Sequence, residues 1–212
     1  MDNFRTILYS TFYMLYSQEF MMDKKFFAKL KKDYNSYDIN RRIIIKHSTD
    51  ILKLAKQAIF ALHRDNMAEA EKNFKDSEEI IKYLNTRIKK EKGLEYEWIF
   101  LAALEEYCEA KLLYQFLKTG KIGALPGVKF DENTYLGGLS DFTGELVRRA
   151  VFLATRRRYK EVAVCEQAIE EVVHELIQFN LIGPLRPKFD QAKNNLRKIE
   201  EIMYDLEIKK RH

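Results

Sequence analysis

The fold is decided by the stretch WIFLAALEEYCEA, which occupies residues 98–110. Its first seven residues are apolar on every side of a helix, and such a helix is buried on most of its faces. Outward from this stretch, Gly93 is the only glycine before residue 120, and no proline precedes Pro126. Hairpins and β-sandwiches need many more of these turn residues. We therefore predict an all-α fold.

The composition is typical of a globular protein with one domain. Among the 212 residues, 46% are hydrophobic and 33% are charged, and a chain of this length can bury a sizeable core. No stretch approaches about eighteen uncharged apolar residues, so we expect no membrane span. The two cysteines, Cys108 and Cys165, are too few for a disulfide framework or a zinc site and suit a reducing compartment. We expect a soluble, cytoplasmic protein.

The first 22 residues are apolar and carry Arg5, which is a feature of signal peptides. They also contain Asp2 and Glu19 and lack a small-residue cleavage site, which argues against secretion. We expect residues 1–22 to be an extension or leading helix of unknown role. Residues 23–212 are expected to form the helical domain.

Helical periodicity and capping signals divide the chain into about seven segments. Asn66 is followed three residues later by Glu69, which is the spacing of a capping box. Gly93 and the pair Gly183-Pro184 are predicted breaks. The predicted elements are a leading segment up to Asp33, a turn at 35–38, helices over about 39–64, 66–90 and 94–118, a loop over 120–130, and helices over about 132–156, 160–180 and 188–207.

Four carboxylates lie where apolar residues dominate. Glu106 and Glu109 are three residues apart, or about 60° apart around a helix, and Asp141 and Glu145 are four apart, or about 40°. A buried carboxylate costs several kcal/mol unless it is paired or bound to a metal ion. Each pair can therefore share a ligand.

Three glycines, Gly137, Gly138 and Gly144, flank the second pair on the predicted helix. Glycine inside a helix costs roughly 1 kcal/mol relative to alanine and often marks the close approach of another backbone. Such an approach would bring the two acidic pairs together. Four carboxylates suit Mg²⁺ or Mn²⁺, which activate water and neutralise phosphate charge in phosphodiester cleavage.

A competing metal site is indicated by Glu171 and His174, which have the E-x-x-H spacing of di-iron bundles. Those bundles carry two copies, and this chain has one, so an exposed helix face is the favoured interpretation. His47 and His63 show no neighbouring residues that would indicate a ligand role.

The net charge of +5 indicates polyanionic partners only weakly. The positive charge is concentrated in residues 146–160, which contain no acid, and in the tail residues Lys209, Lys210 and Arg211. A solvated helix face and a nucleic-acid contact are both compatible with such a cluster.

Several short motifs follow one another along this sequence, and their order is as informative as the motifs themselves. They are HSTDI at 47–51 with ALHR at 61–64, EYCEA at 106–110, YLGG at 135–138 with DFTGEL at 141–146, and LRPKFD at 185–190 running to EEIMYDL at 200–206. Over about residues 40–208 the chain thereby resembles the translin family, which comprises translin and translin-associated protein X.

The resemblance implies a translin-like single all-α domain of about seven helices. It implies assembly into a closed, octamer-like particle that encloses RNA or single-stranded DNA. In this family, translin-associated protein X supplies the nuclease activity through acids in E-Y-x-E and D-x-T-G-E motifs. On this sequence those acids are Glu106, Glu109, Asp141 and Glu145, which would hold Mg²⁺ or Mn²⁺, one of them acting as the base.

The C-terminal run over 185–206 is more similar to translin, whereas the acidic motifs are more similar to translin-associated protein X. This mixture implies a single-gene member of the archaeal type that assembles with itself. We therefore expect a homo-oligomeric, metal-dependent endoribonuclease for single-stranded or partly paired RNA. The alternative is a non-catalytic oligomeric scaffold that binds single-stranded RNA or DNA, as translin alone does.

Candidate nucleic-acid contacts accompany the acidic residues. Arg148 and Arg149 follow Glu145 by one helical turn, where at least one can reach a phosphate at the site. Contacts farther out would make binding salt-sensitive and poor in sequence preference. These candidates are Arg156, Arg157, Arg158, Arg186, Lys188, Lys193 and Arg197.

Overall fold

The computed structural model describes residues 22–89, 94 and 97–210, and the side chains of this range up to residue 208. Residues 1–21 of the predicted extension, the predicted break at Gly93 and the tail residue Arg211 lie outside the described residues. The described residues contain six helices: α1 (Lys24–His63), α2 (Met67–Ile88), α3 (Trp98–Thr119), α4 (Glu132–Thr155), α5 (Tyr159–Ile177) and α6 (Leu185–Lys210). The predicted all-α fold is confirmed.

The described residues divide into two units, residues 22–39 and residues 40–210. In the first unit, the Asp23 carboxylate accepts hydrogen bonds of 3.0 Å from the backbone N–H groups of Lys25 and Phe26, and these start α1. The turn predicted at 35–38 is wrong, because these residues lie inside α1. The segment contains neither glycine nor proline, and polar residues each cost a helix only a few tenths of a kcal/mol.

The capping box predicted for α2 is confirmed. The Glu69 N–H donates to the Asn66 side-chain oxygen at 3.2 Å, and the Asn66 amide donates to the Glu69 carboxylate at 2.8 Å. The first bond satisfies a backbone N–H that has no partner within the helix, and the second joins the two side chains, while the Asn66 N–H donates to the Ala61 carbonyl. They fix the direction in which α2 leaves the end of α1.

Within residues 40–210, α4 is the central helix and packs against α3, α5 and α6. The core on these helices includes the fully buried side chains of Tyr107, Leu112, Phe142, Leu146 and Ile169. Trp98, at the start of α3, is an exception to the predicted burial of that helix, because it is 68% exposed. None of the described helices combines the length and the apolar character of a membrane span.

Two of the three α4 glycines mark a close helix contact, as predicted. A Cβ at Gly138 would lie 3.0 Å from the Glu105 backbone oxygen and 2.9 Å from the Cys108 Cβ, so α3 and α4 touch here. A Cβ at Gly137 would lie 1.9 Å from the Glu105 carboxylate. The expectation for Gly144 is wrong, because its nearest neighbour would be the Asn195 amide at an ordinary contact distance of 3.5 Å.

Candidate active site

Glu106 and Glu109, which we call the α3 pair, lie on the side of α3 that faces α4. Glu109 is only 9% exposed and Glu106 is partly buried. Burial, reinforced by the charges of Glu106, Asp141 and Glu145, raises the pKa of Glu109 to about 9. Burial also raises the pKa of Glu106, although the Lys56 ammonium, 3.9 Å from its carboxylate, acts in the opposite direction. The α3 pair therefore has a deficit of nearby positive charge.

Asp141 and Glu145, which we call the α4 pair, have cationic side chains beside them. The Lys188 ammonium on α6 lies 2.5 Å from the Asp141 carboxylate and 3.0 Å from that of Glu105. The Arg148 guanidinium lies 3.4 Å from the Glu145 carboxylate, which is also hydrogen-bonded to His63 Nε2. The α4 pair is thus held by side chains from three helices.

Opposing effects set the pKa values on this side of the cluster. Burial alone would raise the pKa of Glu145, but the hydrogen bonds and charges of His63 and Arg148 hold it below its usual value. Burial alone would lower the pKa of Lys188, but its bonds to Asp141 and Glu105 raise it. Glu145 is therefore ionised and Lys188 is charged at neutral pH.

The four predicted acids lie on the packed helices α3 and α4, and we call them the acidic quartet: Glu106, Glu109, Asp141 and Glu145. Each member of the α3 pair responds to the charges of both α4 acids. In the described part of the chain, no three His, Cys, Asp or Glu side chains already surround a point where an ion could sit. The donors are hard carboxylate oxygens with a deficit of positive charge on one side, and this chemistry fits Mg²⁺ or Mn²⁺.

Sequence reasoning missed two neighbours of the quartet. His63 was given no role at the site, but its ring is hydrogen-bonded to the Glu145 carboxylate. The sequence signal was its position four residues after Ile59 in the buried stripe of α1, where a histidine must find a polar partner. Glu105 was not singled out, although it holds Lys188 beside Asp141. No local pattern could pair it with a residue on α6.

Arg149 does not have the location that a phosphate contact needs. Its side chain is buried, and its guanidinium donates to the backbone oxygen of His63 at 3.2 Å and to the Asp65 carboxylate at 2.5 Å. These bonds fasten the end of α1 to α4. Arg148, by contrast, is 54% exposed next to Glu145, so of the two arginines only Arg148 is accessible to a phosphate.

The other predicted basic residues lie at the surface. Arg156, Arg157 and Arg158 form the exposed connection between α4 and α5, where Arg158 pairs with Glu161. On α6, Arg186 and Lys193 both pair with Asp190, at 3.2 and 2.7 Å, and Arg197 is exposed. Glu171 and His174 are also exposed, in agreement with the favoured interpretation of that motif as a surface helix face.

A model of the Translin family matches residues 39–210 of this chain. The chain therefore belongs to the Translin family. It is 31% identical to Translin of Homo sapiens over 117 residues, which are 52% of this chain and 51% of that protein. Translin of Gallus gallus is 30% identical over the same length. The chain spans about half the length of the curated relatives it matches.

Two solved structures share the fold. Apo-NeC3PO superposes with a TM-score of 0.78 at 24% identity, over 88% of this chain and 98% of that one. AfC3PO in its complex with duplex RNA gives a TM-score of 0.78 at 17% identity, over 86% of this chain and 96% of that one. The helical architecture is therefore that of these proteins over nearly their whole length.

Proposed function

We propose that this chain is a Mg²⁺-dependent endoribonuclease, able to use Mn²⁺, that cleaves single-stranded or partly paired RNA at the acidic quartet. One observation carries the proposal: Glu109 on α3 is buried, and the charges of Glu106 and of the α4 acids Asp141 and Glu145 act on it and help to raise its pKa to about 9. A buried carboxylate cluster is costly to maintain without a function. Phosphodiester hydrolysis is the chemistry that such a cluster suits.

The residues have separate tasks in this proposal. Glu106, Glu109, Asp141 and Glu145 would hold the ion, which supplies an activated water and neutralises charge on the phosphate. His63 orients the Glu145 carboxylate through their hydrogen bond. Arg148, exposed beside Glu145, is placed to contact the scissile phosphate. Lys188 holds Asp141 toward the cluster and keeps the local charge balanced.

A polynucleotide substrate agrees with the charge distribution around the quartet. Further cations are exposed in the connection after α4, at Arg156 and Arg157, and on α6, at Arg197. The AfC3PO structure contains duplex RNA, and relatives of this chain are translins. We propose RNA as the main ligand and single-stranded DNA as a second one.

We also propose that the chain works as a homo-oligomer of octamer type. Large apolar side chains remain exposed within residues 40–210, more than an isolated subunit needs. They include Val151 on α4, Val164 and Ile177 on α5, and Phe179 and Ile182 in the connection between α5 and α6, each at least 45% exposed. A mass from light scattering tests this, and a monomer at micromolar concentration would contradict it.

The cleavage test uses end-labelled single-stranded RNA with Mg²⁺, with Mn²⁺ and with EDTA. Wild type should cut in the presence of either ion and stop in EDTA, whereas Glu106→Gln should fail with both ions. The matched control is Glu171→Gln, which alters an exposed carboxylate on α5 and should cut like wild type. Equal cleavage by wild type and Glu106→Gln would refute the proposed site.

A non-catalytic nucleic-acid scaffold is the second candidate, and two observations favour it. Lys188 already bridges Asp141 and Glu105, and the described side chains do not yet surround a position for an ion. A scaffold would bind RNA or single-stranded DNA without metal-dependent cleavage. Its affinity would be unchanged in Asp141→Asn.

A further inference from the structure

One exposed aromatic side chain lies at the edge of the acidic quartet. Lys56, Phe60 and His63 follow one another on α1 at intervals of four and three residues, which places them along one face of the helix. Lys56 reaches Glu106 at 3.9 Å, and His63 contacts Glu145. Phe60 therefore lies between the two α1 residues that touch the quartet, one helical turn from each, and its side chain is 53% exposed.

The surroundings of Phe60 are cationic. The Arg64 guanidinium lies 5.4 Å from the centre of the phenyl ring. Lys53, Lys56 and Gln57 line a shallow surface depression together with Phe60, and Glu69 is the single acid of this lining. A single exposed phenylalanine is unremarkable on a protein surface. This one has cations around it and a candidate phosphodiester-cleaving cluster beside it.

Proteins that hold single strands without sequence preference combine these elements. Cationic side chains follow the phosphates, and aromatic rings stack on the bases, each of which has a π face. In a duplex the bases are stacked on each other and are not free to meet a protein ring. A ring at the edge of a cleavage site therefore recognises the unpaired state of the strand.

We propose that Phe60 is a stacking platform for the base of a nucleotide next to the scissile phosphate, with Lys53 and Arg64 contacting the adjoining phosphates. This inference rests on the proposed function and makes it more specific. The preferred substrate is a strand with an unpaired base beside the cut. The identity of that base matters little, because stacking does not depend on the hydrogen-bonding edge.

The test measures binding of a fluorescent, unstructured RNA oligonucleotide to the full chain in EDTA, which keeps the strand intact. Phe60→Leu should weaken binding about tenfold, which is the effect of losing one base-stacking contact. Phe60→Trp should bind at least as well as wild type. The control is Tyr204→Leu, because Tyr204 is an aromatic residue on α6 that is 68% exposed and lies outside the depression that Phe60 lines. This control should bind like wild type.

Abasic oligonucleotides identify the stacked nucleotide. One base is removed at each position in turn, and at one position wild type should lose about as much affinity as Phe60→Leu loses on the intact strand. Phe60→Leu should lose nothing more there. A blunt duplex of the same sequence should bind wild type and Phe60→Leu equally.

Separate outcomes overturn the inference and the proposed function. If wild type cleaves RNA with Mg²⁺ while Phe60→Leu, folded as judged by an unchanged melting temperature, binds and cleaves equally well, the stacking role is refuted and the nuclease stands. If Phe60→Leu loses further affinity at every abasic position, so that the two losses always add, Phe60 acts only as general apolar surface and the stacking role is refuted. If wild type neither binds nor cleaves RNA, both are refuted.

Discussion

The two halves of the acidic quartet differ in what balances their charge. On α3, burial and neighbouring carboxylates raise the pKa values of Glu106 and Glu109, and Glu109, with a pKa of about 9, holds a proton at neutral pH. On α4, the Lys188 ammonium balances the charge of Asp141, and the Arg148 guanidinium and a hydrogen bond to His63 stabilise the ionised Glu145. A divalent ion entering the cluster would therefore replace protons on one side and compete with side-chain cations on the other.

This difference shows that carboxylates of similar burial need not be equivalent. The α3 half destabilises the fold when it ionises, because it lacks partners. The α4 half stabilises the packing of α1, α4 and α6, because its charges connect these helices. Substitutions in the two halves should have the same effect on cleavage and opposite effects on stability without metal.

The largest expected effect is on cleavage. Glu106→Gln and Asp141→Asn should each reduce kcat/KM by about a hundredfold or more, the scale for losing a group that stabilises transition-state charge. In EDTA, however, Glu106→Gln should melt above wild type and Asp141→Asn below it. Melting temperatures that move in the same direction would contradict the difference between the two halves.

The next largest effect is the pH dependence of stability. The pKa of Glu109 is about 9 in the folded chain and 4.5 as an ordinary glutamate, so the native state binds the extra proton between these values. Its stabilising contribution is complete below about pH 4.5 and is lost as pH rises toward 9. In EDTA, raising the pH from 5.5 to 8 should lower the melting temperature of wild type by roughly 8 °C more than that of Glu109→Gln.

Glu171→Gln, at an exposed position of α5, is the control for this titration. Its melting temperature should follow that of wild type at every pH. A constant difference between Glu109→Gln and wild type across this range would show that Glu109 ionises normally in the folded chain.

The contact that holds the two halves together can be loosened at Gly138. Its new Cβ in Gly138→Ala would meet Cys108 at 2.9 Å and the Glu105 backbone oxygen at 3.0 Å, and α3 would have to shift. We expect a loss of about 2 kcal/mol in the free energy of unfolding, measured with urea. The control is Gly144→Ala on the same helix, whose Cβ would have its nearest neighbour, the Asn195 amide, at an ordinary contact distance of 3.5 Å. Equal losses would refute this explanation.

The smallest effect should come from the cation of the α4 half. Lys188→Gln removes the ammonium from Asp141 and Glu105, and we expect a loss of about 1 kcal/mol in EDTA, because the pair is partly exposed. Lys193→Gln, which affects the surface pair with Asp190 and a contact with the Phe189 ring, should change stability by less than about 0.5 kcal/mol. If the free energy of unfolding of Lys188→Gln equals that of wild type, Asp141 does not need this cation.

The sequence predicted those parts of the fold that depend on local rules. The capping box at Asn66, the loop over 120–130 and the absence of breakers led to correct helices, because these signals act over a few residues. It failed at 35–38, where polar residues indicated a turn, and at the start of α6, which begins at Leu185 rather than 188. Pro187 is tolerated there because the first helical turn does not need its N–H.

The candidate site was predictable in part for a similar reason. Each acidic pair lies on a single helix, and the glycines indicated that α3 and α4 meet. The partners Lys56, His63 and Lys188 come from helices that are distant in sequence, and only tertiary packing brings them to the quartet. Arg149 was misassigned because its burial is a property of the packed α1 and α4 helices, and no local pattern shows it.

The buried guanidinium of Arg149 also has a consequence for motion. It holds the last turn of α1 through the backbone oxygen of His63 and through Asp65, so this attachment does not depend on the imidazole ring. Opening that turn requires breaking these charge-assisted bonds, which opposes local unfolding. We therefore expect the backbone amides of this turn to exchange slowly with solvent, and the part of α1 that carries Phe60 to keep its position relative to Glu145 on α4.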